Sequence, residues 1–397
     1  MAFSRVYTVP DYYGDFICKG PDCRHSCCVG WPISISMKEY FTLLGIECST
    51  DLRTKLDRSF RLAKNPCEFR YAQIAPDPFT CDCHMHLSNG WCMLHKELGE
   101  DSLPLICRYY PRGPRSEYAF ECSMSNSCEK VLELLLQKKD MLTFCEKRLT
   151  FEGEECAGDH NEAEKSFYKT CRKVCINILQ KRAYSLPDRL IISGYALKEL
   201  YELQNRKEYD KAEQVAAKYI NADFVFDTSS FKADLPYAIN ILRELTVSIA
   251  LDTMSMGEYA AKILSYYGLA DEPTEETISI ACRLYLDADR HLREIMPEWE
   301  RHFEQLLINH IFFEQFPFSD KHENLKDEYF SLSATYGFLR FATLGYMADK
   351  TDINDFIDLM VAAFRLIDHS CFDRNSAIIM RELDCYSIEK IPLLVKA

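Results

Sequence analysis

Cysteine is the residue type whose spacing most clearly points to chemistry in this chain. Four thiols fall within eleven residues, in the pattern C-x4-C-x3-C-C, at Cys18, Cys23, Cys27 and Cys28. A hydrophobic core does not require such local density, whereas four sulfurs so close in sequence can converge on a thiophilic metal or an iron–sulfur cluster. The segment therefore predicts a metal or cluster site, and the alternative is a set of free, buried thiols.

A second group of cysteines, Cys83, Cys92 and Cys107, supplies further candidate ligands in the pattern C-x8-C-x14-C. The Asn-Gly pair at 89–90 predicts a turn that folds Cys83 back toward Cys92. Because neighbouring side chains diverge, only one of Cys27 and Cys28 is expected to bind a given metal. The other then packs or serves a second site.

The identity of the metal stays open at this point. Zinc favours paired C-x2-C knuckles, and none occurs among these seven cysteines. Nor does the first group fit C-x3-C-x2-C, because Gly30 stands where the third cysteine would be. Histidines inside the two groups could replace a thiolate, and these are His25, His84, His86 and His95. Trp31 is expected to shield the site from solvent.

Composition and charge limit the kinds of partner. The 397 residues are 47% hydrophobic and carry a net charge of −14, of which residues 1–128 hold −1 and the remainder −13. An acidic body repels nucleic acid and anionic membranes and attracts a lysine-bearing protein, and the alternative is that the acidic surface only keeps the protein soluble. The first residues do not resemble a signal peptide, and no apolar run reaches membrane-spanning length. We therefore expect a cytoplasmic protein, in which the 19 cysteines do not form a disulfide framework.

The elements that must position these thiols divide the chain in two. Residues 1–135 form a loop-rich, cysteine-rich metal or iron–sulfur domain, and residues 136–397 form an α-helical bundle or array, so the predicted fold class is mainly α. Apolar residues at helical spacing predict helices over 37–44, 50–63, 96–100, 128–139, 209–219, 237–251, 259–267, 277–295, 329–347 and 353–368. A helix beginning near Ser185 and one from Trp299 that ends before Pro317 are also predicted.

Several of these motifs together resemble the flagellin lysine-N-methylase family. The resemblance rests on the two cysteine groups, on Cys107-Arg-Tyr-Tyr-Pro-Arg112, on Ser127-Cys128-Glu129 before a leucine-rich helix, and on the late segment 303–318 that ends in Phe-Pro-Phe. It spans nearly the whole chain. One departure is Cys83-His-Met-His, where the family usually has Cys-Pro-Phe-Leu. The N-terminal motif alone is shared with a wider family of zinc- or iron-chelating cysteine-cluster proteins.

The resemblance implies methyl transfer from S-adenosylmethionine to lysine side chains of flagellin, with a [4Fe–4S] cluster required. A lysine must lose its proton before it attacks a methyl group, and an apolar, aromatic channel favours that loss. Tyr109 and Tyr110 are candidates to line such a channel, whereas Arg108 and Arg112 could hold a carboxylate of the donor. Each of the four could instead serve only packing or surface pairing.

The sequence lacks a glycine-rich strand–turn–helix for a nucleotide, so the methyl donor would need an unusual pocket. One hypothesis is that an open iron of the cluster, or a cation nearby, holds the amino-carboxylate of the donor. The main alternative function is a non-catalytic module stabilised by zinc or iron, whose helical domain binds a protein. A redox or metal-handling protein is the third possibility.

Overall fold

The computed structural model describes residues 2–152, 160–251, 253–317 and 324–397. Phe318, the last residue of the late motif, lies outside them. The α-helices of the described residues are α1 Met37–Gly45, α2 Thr50–Ser59, α3 Met93–Leu98, α4 Leu105–Tyr109, α5 Glu129–Gln137, α6 Glu162–Leu179, α7 Leu186–Arg206, α8 Ala212–Ile220, α9 Leu235–Leu245, α10 Gly257–Tyr267, α11 Glu275–Ile295, α12 Trp299–Phe313, α13 Leu325–Met347, α14 Ile353–His369, α15 Phe372–Glu382 and α16 Ile391–Val395. The mainly α fold class is therefore confirmed.

Two small sheets accompany the helices. The strands are β1 Ala2–Pro10, β2 Ile33–Ile35, β3 Phe60–Leu62, β4 Ala72–Ile74, β5 Arg112–Arg115, β6 Glu121–Met124 and β7 Phe144–Glu152. One sheet has the order β5-β6-β1-β7, with β1 parallel to β6 and antiparallel to β7 along its whole length. The other has the order β2-β4-β3 and belongs to the cysteine-rich region.

Each sheet belongs to a different hydrophobic core. The small core lies between residues 35 and 94 and includes Ile35, Leu52 and Leu94. The large core takes in the first strand and α5 as well as the helices beyond residue 160. The predicted domain boundary at residue 135 stays a prediction.

Local sequence explains why the long helices start where they do. Ser185 accepts a hydrogen bond from the backbone of Asp188 at the start of α7, with Pro187 in the first turn, as predicted. Asn161 and Glu164 form a reciprocal capping box at the start of α6. α13 is buried on nearly all sides, since it packs against α7, α10, α11, α14 and α15. It is the central helix of the array.

Some predicted elements differ from the structure. The predicted helix over 50–63 ends at Ser59, because Phe60–Leu62 pairs with β4 instead. The segment 237–251 changes from α9 to a π-helical turn at Thr246–Ala250, and 209–219 begins as a 3-10 turn at Tyr209–Lys211. Among the described residues, no helix is long and apolar enough to cross a membrane.

Candidate functional site

A helix from the C-terminal half holds the first cysteine segment in place. Arg365 of α14 donates through Nη2 to the backbone carbonyls of His25 and Ser26, at 3.0 and 2.8 Å. Two turns earlier on the same helix, Asp358 accepts hydrogen bonds from the Arg24 guanidinium at 3.1 and 2.9 Å. The position of this segment therefore depends on the helical region.

The buried carboxylate of Glu129 holds the same segment from the other side. It lies at the start of α5, accepts a hydrogen bond from the backbone of His25 at 3.1 Å and pairs with Lys19 at 2.5 Å. The Cys23 Sγ lies 3.5 Å from it. Removing this carboxylate would leave the backbone N–H of His25 without its acceptor, whereas Lys19 would keep its pairing with Glu133 at 2.6 Å.

The second cysteine group is folded back on the first by backbone hydrogen bonds. The Met93 N–H donates to Met85 at 2.7 Å, so the turn predicted at 89–90 is confirmed and brings Cys92 beside residue 86. The Cys83 N–H donates to the carbonyl of Cys28 at 2.7 Å, which ties the two groups together.

Gly90 makes the contact between the two groups possible. Its φ is +83°, and a Cβ at this position would lie 2.8 Å from the Cα of Pro21. Only glycine fits both the left-handed conformation and this approach of two backbones.

The predicted cysteine ligands form two neighbouring sets, one around Cys83 and Cys107 and one around Cys23. Burial raises the pKa of the Cys83 thiol to about 12 and that of Cys107 well above its usual value, and the charges of Cys28 and Cys92 act on both in the same direction. Cys28, Cys83, Cys92 and Cys107 are therefore close enough for their charges to interact. Burial likewise raises the pKa of Cys23 to about 12 and that of Cys128 to about 11.

Cys128 was not among the predicted ligands, yet it interacts electrostatically with both Cys18 and Cys23. Its position directly before α5, next to Glu129, brings it to the first cysteine segment. The charges of Cys18 and Cys107 both raise the pKa of Cys27. Cys27 therefore has neighbours in both groups of cysteines.

The adjacent thiols of Cys27 and Cys28 are hydrogen-bonded to each other. This bond lowers the pKa of Cys28 to about 6, against the effect of burial, and a further hydrogen bond from Ser26 acts in the same direction. The same bond and burial raise the pKa of Cys27. Cys28 is therefore the more readily ionised thiol of the pair, and a thiolate is the form that binds metals.

The thiols suit a metal or cluster in their chemistry, although they are not arranged around one. None of the described cysteines is in a disulfide. However, no three His, Cys, Asp or Glu side chains in the described ranges are placed so that they could hold a metal ion. Soft sulfur donors that face one another match zinc or iron–sulfur chemistry. Binding would have to draw the thiols together and release their protons.

A cavity of about 320 Å³ opens beside α4, the helix that carries Cys107. Its walls come from β1, α4, β5, β7 and the ends of α12 and α14. They are mostly aromatic and aliphatic, with a few polar groups, and consist of Phe3, Tyr7, Leu105, Ile106, Tyr109, Tyr110, Pro111, Arg112, Pro114, Arg115, Ser116, Phe151, Glu152, Phe313 and His369. Apolar concave sites with a few convergent polar groups are typical of ligand pockets.

Three of the four predicted non-cysteine site residues, Tyr109, Tyr110 and Arg112, line this cavity. Arg108 does not line it. Its Nη1 lies 3.3 Å from a carboxylate oxygen of Glu152, which does, so Arg108 reaches the cavity only through that partner. The roles proposed for these four residues stay predictions.

Close packing of a glycine shapes one wall. A Cβ at Gly113 of β5 would lie 2.7 Å from the ring of Phe313 at the end of α12. The glycine thus lets an aromatic side chain from the helical region pack directly on the strand.

A buried polar network begins at the cavity wall. The Tyr110 hydroxyl lies 3.0 Å from the Ser127 hydroxyl, which lies 2.8 Å from His369 Nε2. Ser125 is 2.6 Å from Ser127 and donates to the Asp368 carboxylate at 2.5 Å. Short hydrogen bonds to a charged group are the strong ones, so this network is expected to hold His369 rigidly.

The network ends in a buried ion pair. His310 Nδ1 lies 3.0 Å from Asp368 Oδ1. Burial opposes the charged imidazole, but the hydrogen bond and charge of Asp368 outweigh it and raise the pKa of His310 to about 9. The apolar face of its helix predicts that His310 is a core histidine with a polar partner, and the structure supplies that partner: His310 is buried and paired with Asp368.

Sequence reasoning missed Arg115, Glu152, Ser127, Asp368 and His369 as site residues. Ser127 belongs to the Ser127-Cys128-Glu129 motif. Asp368 and His369 stand at the end of a predicted helix. No spacing rule connects residues 127 and 369, because their contact depends on the packing of α14 against α5.

The fold and the site define a protein in which a helical array closes over a cysteine-rich region, with a cavity where the two meet. Residues 172–389 match the family described as "FliB lysine N-methylase C-terminal domain". The chain belongs to the FliB lysine N-methylase family.

Individual relatives cover less of the chain. It is similar to a "Lysine-N-methylase" of Salmonella typhimurium, 26% identical over 144 residues, and to one of Salmonella choleraesuis, 28% identical over 148 residues. Each alignment covers 36% of this chain and 35% of the relative. A "Flagellar biosynthetic protein FliU" of Salmonella muenchen is 26% identical over 143 residues, which are 36% of this chain and 83% of that protein. No solved structure matches the chain.

Proposed function

We propose that the chain transfers methyl groups from S-adenosylmethionine to lysine side chains of flagellin, that the cavity is the active site and that an iron–sulfur cluster is required. One observation carries the proposal: the region that matches a lysine N-methylase domain supplies Phe313 and His369 to a cavity whose other walls include Tyr109, Tyr110 and Arg112. The names of the relatives support lysine as the methylated residue. The flagellar name of one of them supports flagellin.

The walls suit the reaction that a lysine must undergo. A free lysine has a pKa near 10.4, so its amine is almost wholly protonated at neutral pH and cannot attack a methyl group. Aromatic walls such as Tyr109, Phe151 and Phe313 remove water from the amine and disfavour its charged form. The two guanidinium groups of Arg112 and Arg115 act in the same direction by charge repulsion.

Those guanidinium groups also suit the methyl donor. Arg112 and Arg115 line the cavity; the Arg112 guanidinium lies over the rings of Tyr13 and Phe16, and that of Arg115 lies over the ring of Phe313, another wall residue. A planar guanidinium is well matched to a carboxylate such as the one on the methionine part of the donor. Arg108 holds Glu152 at the rim, where a carboxylate would favour the approach of a cationic lysine.

The acidic body of the chain suits a lysine-bearing protein. Most of the net charge of −14 lies outside the cysteine-rich region. We therefore expect flagellin to approach through its lysines, with neither nucleic acid nor membrane as a partner. A cytoplasmic location, where thiols stay reduced, fits both the cysteines and this substrate.

We assign the cluster to the cysteine groups that flank the cavity. The thiols that face one another, Cys28, Cys83, Cys92 and Cys107, are the strongest candidates for ligands, with Cys18, Cys23 and Cys27 nearby. When bound, an iron–sulfur cluster would supply a charged, Lewis-acidic group beside α4. Zinc in the same thiols is the alternative.

The test is methyl transfer by protein purified under nitrogen. The protein is analysed for iron and sulfide and incubated with flagellin and S-adenosylmethionine carrying a labelled methyl group. We expect iron and sulfide in the protein and label on flagellin lysines. Cys92→Ser should lose both, whereas Cys145→Ser, which alters an exposed cysteine on β7, should keep both.

Other outcomes would refute parts of the proposal. Zinc without sulfide would refute the cluster. Label on lysines of a different protein, with none on flagellin, would refute the substrate. Absence of label on any lysine, from protein that contains its metal, would favour the non-catalytic binding module.

A further inference from the structure

His369 is placed to exchange protons with a ligand in the cavity. It stands at the C-terminal end of α14 and forms part of the cavity wall. Its Nε2 lies 2.8 Å from the Ser127 hydroxyl, and that hydroxyl lies 3.0 Å from the hydroxyl of Tyr110, another wall residue. The aromatic rings of Trp31 and Phe313 lie beside the imidazole of this exposed residue, at centroid distances of 5.1 and 6.4 Å.

Four other groups of the wall, those of Arg112, Arg115, Tyr110 and Glu152, are poorer proton acceptors. Arg112 and Arg115 stay charged at any ordinary pH and cannot take a proton. Burial keeps the pKa of Tyr110 well above its usual value, so its phenol stays neutral and cannot act as a base on its own. Glu152 is more than half exposed, is paired with Arg108, and is intrinsically a much weaker base than imidazole.

Charges around His369 favour a proton on its ring over one on an amine in the cavity. The Asp368 carboxylate reaches the imidazole through Ser125, which lies 2.5 Å from one of its oxygens and 3.3 Å from Nε2. Arg112 and Arg115 are wall residues, and the Arg115 guanidinium, which lies over the Phe313 ring of the wall, repels an ammonium group in the cavity. Arg365, on the same helix as His369, lies over Trp31. Asp368 is itself paired with His310, whose Nε2 lies 4.0 Å from a carboxylate oxygen of Asp373.

We propose that His369 takes the proton from the primary ammonium group of the substrate lysine, with Nε2 as the accepting atom and the Tyr110 and Ser127 hydroxyls as the path. This inference rests on the proposed lysine methylation. One N–H bond of the ammonium breaks and one N–H bond forms at Nε2, while each hydroxyl gives one proton and receives one. The amine lone pair then attacks the methyl carbon of the sulfonium donor, and the electrons of the broken C–S bond stay on sulfur.

The proton transfer can be observed without methyl transfer. The probe is n-butylamine, which reproduces the end of a lysine side chain, added to the full-length protein with 15N-labelled histidine rings at about pH 8. We expect the His369 ring to be neutral in the free protein and to become an imidazolium when the amine binds. The His369→Gln variant identifies the signal, and n-butanol, a neutral molecule of similar shape, should leave the ring neutral.

Several results would overturn the proposal. These are a ring that is already protonated in the free protein, a ring that stays neutral at saturating amine, or failure of the amine to bind. Ser127→Ala provides a second variant with an intact His369, should the histidine variant not fold. It should bind the amine but fail to protonate the ring, and protonation as in the wild type would overturn the proposed path.

Methylation kinetics then separate this inference from the proposed function. General base catalysis contributes about 10²–10⁴-fold, so His369→Gln should lower kcat by that order at neutral pH and recover as the pH rises toward the pKa of the free lysine. His291→Gln, outside the cavity, is the matched control and should keep the wild-type pH profile. An unchanged profile in His369→Gln would overturn the inference. A wild-type protein that protonates the ring but methylates no lysine would instead refute the proposed function.

Discussion

Replacing His310 by glutamine should make stability depend on pH in a way that can be calculated from the structure. His310 is 5% exposed and forms an ion pair with Asp368, whose N–O distance is 3.0 Å. The His310→Gln variant keeps a polar side chain of similar length but removes the positive charge. It therefore leaves the carboxylate buried without its ionic partner, a change that typically costs about 3–5 kcal/mol.

The magnitude of the pH dependence follows from the pKa of His310. The protein raises it from its ordinary value of 6.5 to about 9. A difference of this size corresponds to about 3 kcal/mol of unfolding free energy. Because the pKa is higher in the folded protein, this stabilisation is fully present below about pH 6.5 and is lost as the pH rises through about 9.

The measurement is urea unfolding followed by the helical circular dichroism signal, at about pH 6 and about pH 9.5. We expect the difference in unfolding free energy between the wild type and His310→Gln to be about 3 kcal/mol smaller at the higher pH. His291→Gln, which removes a partly buried imidazole bonded to the backbone carbonyl of Lys350, should show the same small difference at both pH values. If the difference in unfolding free energy between the wild type and His310→Gln is equal at the two pH values, the buried charged pair is refuted.

Three further predictions concern the cysteine groups. Gly90→Ala should destabilise the protein by about 1–3 kcal/mol and lower its iron content, because the added Cβ strains a positive φ and meets a neighbouring backbone; thermal unfolding and iron analysis measure both. Arg365→Gln should release the first cysteine segment and speed hydrogen exchange at residues 25–28 by at least about tenfold, as seen by mass spectrometry. In metal-free protein, alkylation of Cys28 by iodoacetamide should reach half its maximal rate at a lower pH than alkylation of Cys27, as followed by peptide mass spectrometry.

Each of these predictions has a matched control. Gly99→Ala shares the positive φ but meets no neighbouring atom, so an equal loss of iron in both glycine variants would contradict the packing argument. Arg374→Gln alters an exposed arginine and should leave exchange at residues 25–28 unchanged. Cys27→Ala removes the hydrogen bond that favours the Cys28 thiolate, and an unchanged alkylation midpoint would show that this bond is not its cause.

Periodicity predicted most of the helical array, because helices such as α11 and α14 bury one continuous apolar stripe. It did not predict the sheet formed by β1 and β7, although the two strands pair along their whole length. Their residues are 134 or more positions apart, and most side chains of β7 are exposed, so the strand has little apolar alternation to reveal it.

The candidate site was predictable only where its residues are close in sequence. Cys27 and Cys28 stand in a dense motif, and Tyr109, Tyr110 and Arg112 follow Cys107, so local spacing was sufficient. His369 joins Ser127 through the packing of two helices, and such a contact leaves no mark in either local sequence. The ion pair between His310 and Asp368 could not be predicted for the same reason.

The most direct test of the account is whether blocking the cavity stops lysine methylation. Ile106 lines the cavity and its side chain is 50% exposed, so Ile106→Trp should fill the opening without disturbing the core. Ile280→Trp, at an exposed position of α11, is the matched control. Mass spectrometry of flagellin treated with each protein, at equal iron content, should find methyl-lysine with the wild type and Ile280→Trp and little or none with Ile106→Trp. Equal methylation by all three would contradict the account.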